Sequence, residues 1–197
     1  ATLCEWRKPS GIRKLKARIS EARELAEKLK KIGLPLLDNQ DPLRLLVHTA
    51  SIGISGLDAD TWFMSRGLVA ELPEPGCITF CLGLAPHRGL ARFIKKRWDG
   101  LIASKPRYEP LPPFKAPPRS LITFPVMDTS LAWRSSWERV PLCESFGRVS
   151  ADLICPYPPG IPMLIPGEKL EKKFVNWLVH QQYLWPEQIA SHLKVVL

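Results

Sequence analysis

ADLICPYPPGIPMLIPG, Ala151 to Gly167, holds five prolines and two glycines in seventeen positions and is otherwise almost wholly apolar. Proline has no amide proton and a fixed φ, so it withholds ladder hydrogen bonds and narrows the freedom of the unfolded chain. Ala151 to Cys155 can form a ladder strand, but Pro156, Pro158, Pro159 and Pro162 keep PYPPGIP out of any central one. The stretch reads as a stiff, buried crossing between two elements of a core.

Downstream, EKLEKKFVNWLVHQQYL has Leu170, Phe174, Trp177 and Leu178 at helical spacing, and LKVVL then reads as a short strand. Glu168, after Pro166 and Gly167, stands at the start of that helix, where free amides and the helix dipole favour a carboxylate. Upstream, Glu144 and Arg148 are four residues apart, close enough to pair on one turn. Arg148 after Gly147 can also organise a turn through the forked donors of its guanidinium.

Further upstream, KPRYEPLPPFKAPP has six prolines in fourteen residues, a composition for an extended, semi-rigid connector. It divides the chain into residues 1–104, a linker at 105–118, and residues 119–197. In the first part Leu15, Ile19, Ala22, Ala26 and Leu29 mark one apolar helical face, and Gly33 ends it. A turn-rich connector, LPLLDNQDP, leads to a strand in LRLLVHTA. Ser55 then caps a short helix that packs through Leu57, Trp62 and Phe63 and stops at Gly67. Two strands, Leu68 to Leu72 and Cys77 to Leu84, meet across the turn PEPG, antiparallel by the shortness of the link. A helix over Arg88 to Ser104 closes the unit. The fold class is therefore α/β in the α+β sense: a small sheet covered on one face by helices, followed by a second mixed domain.

Composition limits the function. Hydrophobic residues make up 45% and charged residues 24% of 197 residues, a globular balance. No apolar run is long enough for a membrane helix. Five scattered cysteines, an odd number, point to a reduced, cytoplasmic setting rather than a disulfide framework. Cys77 and Cys81 are four apart but have no second ligand pair, so they read as packing residues rather than a zinc site. The net charge of +9 sits largely on helical segments where glutamates interleave with the basic residues, the pattern of a solvated face rather than a nucleic-acid surface. Gly53-Ile-Ser-Gly56 follows a strand instead of joining two helices, so it reads as a turn and not an RNA-clamping loop. Ser191-His192-Leu193-Lys194 brings together residue types that serve pyridoxal phosphate, yet Lys194 enters a strand and reads as structural. The opening residues have neither an initiator methionine nor a signal pattern and read as the middle of a longer chain or a processed product.

The span Val140 to Glu168, VPLCESFGRVSADLICPYPPGIPMLIPGE, resembles the C-terminal domain of the ornithine/lysine/arginine decarboxylases. The family pattern of Glu, two residues, Gly-Arg, an apolar strand, Pro-Tyr-Pro-Pro-Gly-Ile/Val-Pro and Pro-Gly-Glu falls on Glu144, Gly147, Arg148, Pro156 to Pro162 including Gly160, and Pro166, Gly167 and Glu168. The first part resembles the small domain of the same enzymes, through Asp41, Arg44, Gly53, Gly56, Trp62, Glu71 and Leu72. The resemblance implies the fold of aspartate aminotransferase relatives, with pyridoxal 5'-phosphate as the cofactor of the parent enzyme, a basic amino acid as substrate and a homo-oligomeric assembly. It also implies a large cofactor domain carrying a Ser-x-His-Lys lysine as an essential partner. That motif does not occur in these residues, so the chain alone is expected to be inactive. Glu144 is then the candidate partner for the substrate's distal cation, and Tyr157, held between prolines, either lines the active-site mouth or fills core. Gly147, Arg148, Pro156, Pro158, Pro159, Gly160, Pro162, Gly167 and Glu168 are expected to shape the segment. The alternative is a non-catalytic assembly or regulatory subunit.

Overall fold

The computed structural model describes residues 2–85, 88–104, 109–112, 115, 117–118, 124–157, 160–186 and 189–197. Pro158, Pro159, His87 and half of the 105–118 connector lie outside them. The chain divides into two compact units, Ala1–Phe114 and Lys115–Leu197.

The first unit begins with α1 (Thr2–Arg7) and α2 (Pro9–Lys31). Pro9 opens α2 because its missing amide would be unbonded there in any case. Ala22 and Leu29 carry the buried face of α2, while Leu15 and Ile19 are only half-buried. Gly33 ends the helix: its amide bonds to Lys30 and that of Leu34 to Leu29, so two otherwise orphaned carbonyls are satisfied. The same closure recurs after α3 (Gly56–Met64), where Gly67 bonds to Met64 and Leu68 to Phe63. Ser55 caps α3 by accepting the amide of Asp58 at 3.0 Å.

The sheet has four strands in the order β1-β2-β4-β3, all neighbours antiparallel. They are β1 (Leu36–Leu37), β2 (Arg44–Val47), β3 (Leu72–Pro73) and β4 (Ile78–Cys81). The register sets Leu45 opposite Phe80 and Val47 opposite Ile78. These four share one face and join Leu29, Ala59, Phe63 and, from α4 (Leu90–Ser104), Ile94, Trp98 and Leu101 in a single core. Each fully buried Leu, Ile or Phe there contributes roughly 1.5–3 kcal/mol.

The strands differ from those the sequence suggests. Leu36 and Leu37, taken as connector, form an edge strand against β2. The Leu68–Leu72 strand is reduced to Leu72–Pro73, because Leu68 is used to close α3 and Val69 points to solvent. LRLLVHTA is strand only to Val47; Thr49–Ile52 turns into a 3₁₀ helix whose Ala50 amide bonds to Gly76.

The second unit contains α5 (Thr129–Arg134), β5 (Trp137–Pro141), a 3₁₀ turn (Leu142–Glu144), α6 (Lys172–Leu184) and β6 (His192–Val196). Asp128 caps α5, accepting from the amides of Ser130 and Leu131, both at 3.0 Å. The Ser130 hydroxyl, at 2.6 Å, is the main reason the Asp128 carboxyl lies below the usual range. β5 and β6 pair antiparallel from Trp137 opposite Val196 to Pro141 opposite His192. Leu193 and Val195 on β6, Phe174, Trp177 and Leu178 on α6, and Leu142, Ile154, Met163, Leu164 and Leu170 form the core. The Trp177 indole donates to the carbonyl of Lys115 at 2.8 Å. Two readings change here. Ala151 to Cys155 is not a ladder strand: the Ala151 amide donates to the Lys194 carbonyl at 3.0 Å and Ile154 makes a single bridge to Leu164. The helix starts at Lys172, so Glu168 is not at its N-terminus.

Candidate functional site

The motif residues form one continuous device. After the 3₁₀ turn, residues 147–150 run antiparallel to 167–170. Gly147 donates to Leu170 (2.8 Å), Leu170 to Arg148 (2.8 Å), Ser150 to Glu168 (2.9 Å) and Gly167 to Ser150 (2.8 Å). Between these laced bases the chain makes a long excursion. It is pinned midway where Ile154 donates to Leu164 (2.9 Å) and Met163 to Ile154 (2.7 Å). The described residues of PYPPGIP, 156–157 and 160–162, are thus at the tip of a hairpin-like excursion and not in a buried crossing. Tyr157 is 71% exposed and Ile161 52% exposed at that tip. Pro156 and Pro162 suit it because a tip has no ladder partners to lose, and their fixed φ angles keep it stiff. Gly160, with φ of +81°, bonds back to the Pro156 carbonyl at 3.0 Å, and a Cβ on it would meet the Tyr157 ring at 3.2 Å. Pro162 is exposed on the descending side.

Beneath the tip, Glu168 is buried and its Oε2 accepts the amide of Ile165 at 2.9 Å. It holds the Pro166-Gly167 turn, a structural role different from helix-start stabilisation. Arg148 does not meet Glu144. One guanidinium nitrogen donates to Glu138 Oε1 at 2.6 Å and to the Val196 carbonyl at 3.0 Å, so Arg148 ties the motif to both strands of the sheet. Glu144 is exposed at the end of its 3₁₀ turn, and among the described residues no partner holds its carboxylate. Tyr157 does not fill core.

Ser191-His192-Leu193-Lys194 lies at and within β6, as a structural reading requires. The Lys194 ammonium is 3.1 Å from Asp152 and 5.0 Å from the Trp137 ring centre. A lysine that condenses with a cofactor needs a neutral amine facing a cavity. Lys194 and Lys95, the lysines that are part-buried among the described residues, are each paired with an aspartate. Neither of these two lysines therefore fits the role of a cofactor-condensing amine.

Among the described residues no cluster of three metal-ligating side chains occurs. Cys77 instead donates to Glu74 at 3.2 Å, and burial, followed by that hydrogen bond, pushes its thiol up to about 12. Since the thiolate is the reactive form, Cys77 is expected to alkylate with iodoacetamide at pH 8 on the order of a hundredfold more slowly than exposed Cys81. Its rate should still be rising tenfold per pH unit above pH 9. Peptide mass spectrometry over a time course checks this, and equal rates would show that the thiol is not protected.

Residues 121–185 match the family model for the Orn/Lys/Arg decarboxylase C-terminal domain. The arginine decarboxylase of Bacillus anthracis is 25% identical over 160 residues, which is 75% of this chain and 30% of that protein. The arginine decarboxylase of Halalkalibacterium halodurans is 29% identical over 140 residues, 65% of this chain and 26% of that protein. The constitutive lysine decarboxylase of Escherichia coli is 43% identical over 61 residues, 28% of this chain and 9% of that protein. Among solved structures, the lysine decarboxylase of Francisella novicida superposes with a TM-score of 0.69 at 15% identity, over 98% of this chain and 41% of that one. The constitutive enzyme of Escherichia coli gives 0.64 at 17% identity, over 98% and 42%. These structural likenesses bear on the fold. The chain spans less than a third of the length of the curated relatives it matches.

Proposed function

We propose that this chain, whose residues 121–185 match the family model for the Orn/Lys/Arg decarboxylase C-terminal domain, is the C-terminal portion of a pyridoxal phosphate dependent enzyme. The enzyme takes lysine, ornithine or arginine to its amine and CO2. The observation that carries this reading is that the similarity to arginine decarboxylases extends over 160 residues, well beyond the 121–185 domain. Pyridoxal phosphate, held by a separate large domain of the parent, supplies the electron sink. The parent works in the cytoplasm as a homo-oligomer.

The work left to these residues is framing. A basic substrate brings a distal cation that must be neutralised where water is scarce. The exposed carboxylate of Glu144 is free to meet it, and the stiff tip bearing Tyr157 supplies an aromatic wall that loses little freedom when a substrate docks. Pro156, Gly160 and Pro162 set the shape of that tip, and Gly147, Arg148, Gly167 and Glu168 anchor its base.

The second reading, a non-catalytic subunit, is favoured by the commitment of Lys194, the lysine of the Ser-His-Leu-Lys stretch, to Asp152 and Trp137. One experiment separates the two. The full product of the gene, supplied with pyridoxal phosphate, is assayed for labelled CO2 from carboxyl-labelled lysine, ornithine and arginine. Release from one of them is expected, with Glu144→Gln raising KM about tenfold and changing kcat little, since one charged hydrogen bond is worth about 1.5–3 kcal/mol. A full product that lacks a lysine domain and releases no CO2 leaves only the subunit reading.

A further inference from the structure

The outer face of the two-stranded sheet carries a charge pattern that the decarboxylase reading does not use. Arg139 and Lys194 are directly opposite in the ladder, and directly opposed like charges destabilise a sheet. His192, two residues from Lys194, shares their face, as does Trp137, two residues from Arg139. Beside this face is a cleft of about 310 Å³ lined by Arg139, His192 and Lys194 on one side and by Asp152, Ile154 and Ile189 among the others. Ile154 and Ile189 are buried, so part of the wall is apolar. Asp152 is the carboxylate in the cleft, and it is spent on Lys194 at 3.1 Å. Arg139 has no ion-pair partner among the described residues, and its fork is the geometry that grips an oxyanion through two parallel hydrogen bonds. The imidazole of His192 is held by the Ser191 hydroxyl, 3.1 Å from Nδ1.

The geometry points to a binding site for a small oxyanion in this cleft, with Arg139 as the gripping group, Lys194 and His192 as flanking donors, and the isoleucine wall receiving an apolar body. An anion there removes the repulsion that the ladder register builds in. Concavity, an apolar wall and a few convergent polar groups are what small-molecule sites share. The site is made wholly by the second unit and is independent of whether the parent enzyme decarboxylates anything.

The test titrates the chain with sodium phosphate, acetate and isovalerate at constant ionic strength, following backbone amides by heteronuclear NMR. Saturable shifts are expected at residues 139, 152 and 192–194, with non-saturating drift at the basic residues of α2. Arg139→Gln should weaken binding at least about fivefold, as loss of one charge-assisted pair requires. Isovalerate binding tighter than acetate assigns a carboxylate with an apolar tail, whereas phosphate binding tighter than both assigns a phosphate ester. Shifts that stay linear for all three anions, or that are unchanged in Arg139→Gln, overturn the proposal. Should that variant lose its circular dichroism spectrum, His192→Gln is read by the same criteria.

Discussion

Replacing Gly167 with alanine is expected to lower the stability of the second unit by about 3 kcal/mol or more. Two penalties coincide at this residue. Its φ is +91°, which an L side chain adopts at a cost of about 1–2 kcal/mol. A Cβ would also stand 2.2 Å from the carbonyl oxygen of Met127, a backbone atom that cannot swing aside. Val126 and Met127 both donate to the Gly167 carbonyl, at 2.9 and 3.3 Å, so retreat of that segment would break the bonds it makes. For a unit of this size the midpoint of thermal unfolding should fall by roughly 15 °C. Gly147→Ala is the control. Its φ of +81° carries the same conformational cost, but nothing lies within 4 Å of the added carbon, so a loss of only about 1 kcal/mol is expected. Equal losses in the two variants would mean that close approach to Met127 is unimportant.

Phe63→Ala should cost the first unit about 3–5 kcal/mol. Phe63 is 2% exposed and lies between two ring neighbours, Trp62 at 5.5 Å and Phe80 at 5.9 Å, both edge-on. Truncation removes the link between α3 and the sheet and leaves a cavity that rigid β4 cannot close. Met64, the next residue on the same helix, is 55% exposed. Met64→Ala should therefore shift stability by no more than about 0.5 kcal/mol. Urea unfolding followed by tryptophan fluorescence measures both, and a Phe63→Ala loss below about 1 kcal/mol would contradict the assigned core.

The helices were the legible part of this chain. Leu29, Phe63, Phe174, Trp177 and Leu178 are buried in the two cores, because a 3.6-residue period and cap chemistry act over a few neighbouring residues. Strand limits were harder. Leu36 and Leu37 become strand only because β2 offers an edge, a fact of partner geometry rather than of local preference. The same holds for Arg148: spacing offered Glu144, but the fold delivers Glu138, ten residues away. Glu168 follows Pro166 and Gly167 at the start of the helical pattern, which suggests a helix-start carboxylate, but the Pro166-Gly167 turn claims that carboxylate instead. The basic face of Arg139, His192 and Lys194 had no signal in spacing, because the ladder that gathers them joins distant segments. The proline-rich segment is legible by residue type as stiff but reads as a buried crossing, and only the laced bonds beneath it reveal that Tyr157 and Ile161 face outward.

The pairing of β5 with β6 also sets an order of events. Val140 finds Leu193, and Trp137 finds Val196, across an intervening stretch that contains the whole excursion and α6. Closing so long a loop carries an entropic cost that local helix formation does not, and contacts of this kind form late and slow folding. Arg148, which bonds to Glu138 on one strand and to Val196 on the other, can make both bonds only after that closure. Until then the motif has nothing to hold, and the second unit reaches its native core only when β6 arrives.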